Sequence, residues 1–402
     1  MSLFDSYFQL VDDGQEILSH HVKTLVYKKE RDLFDLIDYD NNLAFLEPFC
    51  FTFFNSKNID IPLHQLLFGY ITKSKGVNRL DAFSDENGCI FLPEIGIIKT
   101  SVINSKLQIE KVDKNKFRVF FDDKEIENDL SFIEYLKNSE IELLCYKHPY
   151  YKDYFFEWDN ISNKYSQFPA EYNTKKISLE NKEKLEKALD LLKKSSPDYF
   201  ELIEDTNKRI VLFDNLKIRN FVARNIHGMA FIGASNELSE IYFLEEIIHQ
   251  CGHNVFNAVT AKLSDFFKID PETSLEVYSK NPNEYRSIYS TLHGLFTISA
   301  RIDCFRNTLS LSLDLSQRHE LLGRLADLKR RFRTGLEFIN VDEVFTAKGQ
   351  KLYANLDSYC EEAFIEIGSL ADCFDYSNQT GPDFNYNEFL QNNPIKDIPV
   401  WI

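Results

Sequence analysis

Apolar residues recur at helical spacing through residues 1–75, at Leu10, Val11, Ile17 and Leu18 and again at Leu63, Leu66 and Leu67, where Pro62 suits the first turn of a helix. The period changes near Asn87-Gly88. CIFLPEIGIIKT (89–100) is rich in β-branched and aromatic residues. LQIEKV (107–112) and FRVFF (117–121) alternate around the turn-like DKNK at 113–116, which predicts a hairpin. IELLCY (141–146) reads as a further strand, ended by His148-Pro149. From about residue 178 the spacing is helical again: Leu185, Ala188, Leu189 and Leu192 form an amphipathic stripe, and Ser195-Ser196-Pro197 stops that helix and starts another. IVLFDN (210–215) and MAFIGA (229–234) predict short strands ahead of a long helix at 240–262, and the pattern stays mostly helical to about 370. Asn, Gly and Pro through 376–402 predict an irregular tail. Helices and a small sheet, roughly segregated, predict the α+β class. The expected organisation is an α+β region over 1–175, a helical region over 176–375 and the tail over 376–402.

Composition narrows the function classes. The chain has 402 residues, enough for two domains or one large one, and no internal repeat. It carries 46 Lys+Arg against 63 Asp+Glu, a net charge of −17, which argues against nucleic acid or an anionic membrane as partner because phosphate binding needs clustered positive charge. No apolar run approaches the roughly 20 residues of a membrane span. The amino terminus is acidic from Asp5 and has neither a basic nor a continuous apolar stretch, so no signal peptide is expected. The cysteines at 50, 89, 145, 251, 304, 360 and 373 form no CxxC pair, which suits reduced thiols in a cytoplasm.

Candidate chemistry concentrates in the histidines. Of the nine, His20, His21, His64, His148, His227 and His319 sit among neighbours that suggest surface or core roles. EIYFLEEIIHQCGHNVFNAVT (240–260) is different: His249 and His253 are four apart on one helical face, about 5.4–6 Å from each other, a spacing at which both can reach one divalent ion. Glu246 lies on the same side, where it could orient an imidazole as an acceptor, and Gly252 would let another group approach closely. The spacing is that of the HExxH metallopeptidase motif, with Gln250 in place of its glutamate. An amide cannot take a proton from a metal-bound water, so either hydrolysis is lost or the chemistry needs no base at that position, as in an oxygenase. RSIYSTLHGLFTISARIDCF (286–305) supplies His293, followed by Gly294, as a third donor. Arg286 precedes His293 by seven residues, two turns along the same face, where it would suit a carboxylate on a metal-chelating cosubstrate.

In order along the chain, LPEIG (92–96), LLCYKHPYY (143–151), NIHGMAFIGA (225–234), the His249/His253 helix and Arg286 through His293-Gly294 resemble the motifs of the α-ketoglutarate-dependent HExxH-type peptide β-hydroxylases of peptide natural-product pathways. The resemblance spans roughly 85–310 and departs at Gln250. It implies a mononuclear Fe(II) held by His249, His253 and His293, 2-oxoglutarate as cosubstrate and hydroxylation of a β-carbon in a precursor peptide. Glu246 and Gln250 would then orient the ligands from behind. Three neutral ligands would leave the ion its full charge until the anionic cosubstrate chelates it. Two rival readings remain. One is an inactive zinc-peptidase relative taking a third ligand from Glu361, Glu362 or Glu366. The other is a non-catalytic peptide-binding protein using some of its 35 Phe. Glu246 and His249 form an ExxH, but no second copy exists to complete a di-iron carboxylate site.

Overall fold

The computed structural model describes residues 3–56, 60–71, 79–113, 116–159, 164–281, 284–332, 335–381 and 383–397. The class is α+β, with small sheets in the first half and helices in the second. Chain contacts divide it into a mixed unit, Asp12–Lys182 with Glu204–Asn236, and a helical unit, Met1–Val11 with Glu183–Ile203 and Glu237–Ile402. Both units are discontinuous in sequence, whereas consecutive regions were expected. Strand pairing ties 204–236 to the mixed unit.

The mixed unit contains most of α1 (Phe8–Lys29), α2 (Pro48–Asn55), α3 (Leu63–Leu67) and every strand described. β1 (Arg79–Ser84), β4 (Ser105–Asp113), β5 (Lys116–Phe121) and β6 (Lys124–Ile126) form an antiparallel sheet in that order. Its β4–β5 pairing is the expected hairpin, although residues 114 and 115 of the expected turn fall outside the described residues. β2 (Cys89–Leu92), β3 (Gly96–Thr100) and β7 (Asn128–Phe132) form a second antiparallel sheet. LPEIG is the turn between β2 and β3. Gly96 there has φ 140°, and a Cβ on it would run into the Ser131 carbonyl of β7, so only glycine fits. β8 (Glu142–Leu143) is shorter than the strand expected over 141–146, and β9 (Trp158–Asp159) with β10 (Lys164–Tyr165) is a small hairpin. β11 (Arg209–Phe213) pairs parallel to β8 and to β12 (Met229–Gly233). All five residues of β11 and of β12 are buried, as in a sheet covered on both faces, and this ties 204–236 to the first half of the chain.

Under β11 lies a buried ion cluster. Arg209, fully buried, donates through Nη1 to Glu47 at 2.5 Å and through Nε to Glu142 at 2.5 Å, while its guanidinium lies over Phe49 and Phe91 at 5.2 and 5.4 Å. Burial pushes the Glu47 carboxyl upward, but Arg209 and then Lys208 outweigh it and hold Glu47 below the usual range. For Glu142 burial wins, and its pKa is raised.

The helical unit includes part of α4 (Lys175–Ser195) and α5 (Pro197–Thr206), then α6 (Glu240–Glu246), a π turn over Ile247–Cys251, α7 (Gly252–Val259), α8 (Ile288–Leu309), α9 (Leu315–Arg331), α10 (Ala347–Ala371) and α11 (Tyr386–Asn392). α8 is the central element, packed against the π turn, α7, α9 and α10. The carboxy-terminal segment is less irregular than expected. It carries α11, whose Phe389 is fully buried against Phe374, Tyr376 and Phe384. Among the described residues no helix is long and apolar enough to cross a membrane.

Candidate metal centre

The helix expected over 240–262 forms, but a π turn interrupts it at the histidines. Ser239 caps it by accepting from the Tyr242 amide. Within the π turn the Ile248 carbonyl accepts from the Tyr199 hydroxyl at 2.9 Å. A Cβ on Gly252 would overlap that hydroxyl, so the group that Gly252 admits is Tyr199, not a ligand. The wider turn also has a geometric effect. Steps of four residues drift about 40° around an α-helix, whereas a turn closed by i→i+5 bonds drifts the other way. Glu245, His249 and His253 therefore stay on one face.

That face meets α8 antiparallel, in matched steps of four. Glu245 Oε1 accepts from Arg301 Nη1 at 3.0 Å, His253 Nδ1 lies 2.7 Å from His293 Nε2, and Asn257 Oδ1 accepts from the Tyr289 hydroxyl at 2.9 Å. His249 and Thr297 fall at the level between the first two pairs. The His249 and His253 rings are 4.8 Å apart between centroids and the His253 and His293 rings 4.3 Å, nearly perpendicular. Phe256 stacks on the His293 ring at 4.7 Å and fixes its plane. All three imidazoles are partly exposed, so the trio sits at an accessible edge of the seam.

Electrostatics keep two of these rings neutral. Burial, then the positive Arg301 and the other two histidines, hold His249 well below its ordinary pKa. Burial and Arg301 push His253 down to about 4. Arg301 shares Glu245 with Arg324, which donates to the second oxygen at 2.7 Å and also pairs with Glu320 at 2.6 Å. Two cations and two anions thus close that end of the seam with no net charge.

The expected supporting residues are arranged differently from the prediction. Glu246 Oε2 is 4.0 Å from His249 Nδ1, too far to hydrogen-bond, and instead accepts from Gln250 Nε2 at 3.0 Å. The same amide nitrogen lies 3.2 Å from His249 Nδ1, while Gln250 Oε1 is buried without a hydrogen-bond partner. Gln250 is thus the group that touches the imidazole. A glutamate at this position would bring a second carboxylate to within hydrogen-bonding distance of Glu246, a like-charge contact that the amide avoids.

Arg286 needs a correction. Its two-turn relation to His293 assumed one continuous helix, but α8 begins at Ile288 with Ser287 as its cap, so Arg286 precedes the helix and has no helical phase. Its guanidinium engages Glu284 through Nε at 2.8 Å and Nη2 at 2.6 Å. Sequence reasoning missed Arg301, the cation whose charge does act on His249 and His253. The signal was available, because Arg301 follows His293 by eight residues and Glu245 precedes His249 by four. The zinc-peptidase ligands also fail to arrive: Glu361, Glu362 and Glu366 are exposed on α10, and Glu366 pairs with Arg306 at 2.5 Å.

The chain matches no family model, and no curated protein is significantly similar to it. Among the described residues no group of three or more His, Cys, Asp or Glu side chains is gathered as a metal site would be. The facing nitrogens of His253 and His293 sit at hydrogen-bonding distance from each other, 2.7 Å. Two imidazole nitrogens on one ion, each bonded at about 2.0–2.1 Å, stand roughly 3.0–3.3 Å apart. Donor chemistry fits an ion, since His249 and His253 are neutral.

Proposed function

We propose that the chain is an Fe(II)- and 2-oxoglutarate-dependent oxygenase of the cytoplasm that hydroxylates a β-carbon of a residue in a peptide, the precursor of a ribosomal peptide natural product. The observation that carries this reading is the convergence of His249, His253 and His293 from two antiparallel helices, with an amide at 250 where hydrolysis needs a base. The chemistry supplied by Fe(II) when bound is oxygen activation at open coordination positions. His249, His253 and His293 would hold it, and Gln250 would set the orientation of His249. An all-imidazole ligand set adds no negative charge, which favours a dianionic cosubstrate over water. Seven free cysteines suit a reducing compartment. Arg286, engaged with Glu284, has no part in this reading.

The test is anaerobic reconstitution with Fe(II), metal analysis and succinate release from 2-oxoglutarate with and without O₂. The expected result is about one iron per chain and O₂-dependent succinate, with iron lost in His249→Ala and His253→Ala. A parent protein that takes up no stoichiometric iron, or equal succinate in the absence of O₂, would overturn the proposal. Retention of zinc alone, with peptide hydrolysis gained in Gln250→Glu, would favour the peptidase relative instead.

A further inference from the structure

The turn ahead of α1, residues 3–7, belongs to the helical unit. Turns normally run over a protein's surface. This one is drawn into the core: Phe4 is 1% exposed and Tyr7 3%. The Tyr7 amide donates to the Phe4 carbonyl at 2.8 Å, so one closed turn sets both rings. Each ring meets a group that governs one side of the histidine trio.

On the first side, the Phe4 ring centre lies 4.4 Å from that of Tyr199. Tyr199 donates to the Ile248 carbonyl, in the peptide unit that joins Ile248 to His249, and its hydroxyl fills the notch left by Gly252. Withdrawing that ring therefore moves the π turn on which His249 stands. On the second side, Tyr7 lies 5.4 Å from Phe296 and Phe296 lies 5.3 Å from Phe256. Phe256 stacks on His293 at 4.7 Å, within 19° of parallel. Tyr199, Phe256 and Phe296 are fully buried. Cores pack as densely as organic crystals, so volume lost at one end of such a chain of rings is felt at the other.

We infer that Phe4 and Tyr7 are positioning residues of the trio: Phe4 holds His249 through Tyr199, and Tyr7 holds His293 through Phe296 and Phe256. The two branches start three residues apart on a single turn, so one element fixes the imidazoles of both sides of the seam. This placement rests on packing alone; that the trio holds Fe(II) rests on the function proposed above. Donors to one ion must be held to within about 0.5 Å, and the outer supports of a metal ligand typically carry about 10–100-fold of its affinity.

The experiment uses the full chain as parent, Phe4→Leu, Tyr7→Leu and Tyr7→Phe. Its control is Phe389→Leu, a fully buried aromatic packed on Phe374, Tyr376 and Phe384 instead. Fe(II) affinity is measured anaerobically by chelator competition, without urea, and the histidine ring resonances are recorded by NMR on the metal-free chain. Both Leu variants at positions 4 and 7 are expected to bind iron at least about tenfold more weakly. Phe4→Leu moves mainly the His249 resonances and Tyr7→Leu mainly those of His293. Tyr7→Phe keeps the ring and stays within about threefold of the parent in affinity. Phe389→Leu lowers the urea midpoint and also stays within about threefold, which a general loss of stability would not allow. Where leucine unfolds the chain, methionine at the same position repeats the test, because its flexible side chain fills the gap. Parental iron affinity in either folded variant, or an equal loss in Phe389→Leu, overturns the inference. A parent that takes up no iron overturns the metal reading and leaves this inference to the resonances. It then stands if the shifts follow the two branches, and falls if the imidazole resonances of the variants match the parent's.

Discussion

Gly252→Ala tests the packing that shapes the π turn. The added methyl would overlap the Tyr199 hydroxyl, while the next nearest atom, Tyr199 Cζ, stands at an ordinary 3.6 Å. Tyr199 cannot swing aside, because it is fully buried, packed with its ring centre 4.4 Å from that of Phe4 and bonded to the Ile248 carbonyl. Overpacking of this kind costs about 1–3 kcal/mol, against which the helix gains about 0.5–1 kcal/mol from replacing glycine. The net expectation is a loss of up to about 2.5 kcal/mol. Tyr199→Phe alone removes one hydrogen bond and costs about 0.5–1.5 kcal/mol. In the Phe background the clash is gone, so Gly252→Ala should then stabilise by about 0.5–1 kcal/mol. The two substitutions should couple by about 1–3 kcal/mol, measured as a double-mutant cycle in urea. Additive values, or a stabilising Gly252→Ala in the parent, would show that the hydroxyl does not occupy the space that Gly252 leaves.

Two further outcomes follow from charge and burial. With metal chelated, His253 titrates near 4 when folded against about 6.5 unfolded, so the unfolded chain binds more protons between those values and stability falls as pH drops through that window. From pH 7.5 to 5 the part owed to His253 is about 2 kcal/mol, and because burial also lowers His249, His227 and His148, urea midpoints should show an acid loss in both proteins that is smaller by about that amount in His253→Asn. Glu47→Gln leaves the fully buried Arg209 short of a negative partner, a loss of about 3–5 kcal/mol in the stability of the mixed unit, while a substitution at exposed Glu125 should leave the urea midpoint unchanged.

Periodicity made the elements legible, and local chemistry made the histidines legible, because both depend on near neighbours in sequence. The hairpin of β4 and β5, the strands β11 and β12, and the stripe of Leu185, Ala188, Leu189 and Leu192 all read correctly from spacing alone. Discontinuity did not read, because the pairing of Arg209 with Glu142 across β11 and β8 is a contact between distant segments. The helical tail was missed because α11 is short and is held by one buried aromatic, Phe389, rather than by a repeating stripe. The error at Arg286 came from extending a helix past its own cap. Ser287 followed by Ile288 is a recognisable start signal, and applying it would have moved attention along the helix to Arg301.

The seam between α6–α7 and α8 separates what stabilises from what is available. A purely structural interface between two helices gains little from ion pairs and polar rings, since apolar side chains of equal volume pack as well or better. Here the polar ladder runs for four levels, and its ends are self-sufficient. Glu245, Arg301, Arg324 and Glu320 neutralise one another at one end, and Tyr289 donates to Asn257 at the other. The middle differs in kind. It holds partly exposed imidazoles, a buried amide oxygen with no partner, and a helical glycine beside open space. Closed ends fix the register of the two helices to within a side chain, and a fixed register is what three donors from two helices need in order to meet. Bonding capacity is thus concentrated at the levels where the scaffold is held most tightly on both sides, which is where a ligand gains most from preorganisation.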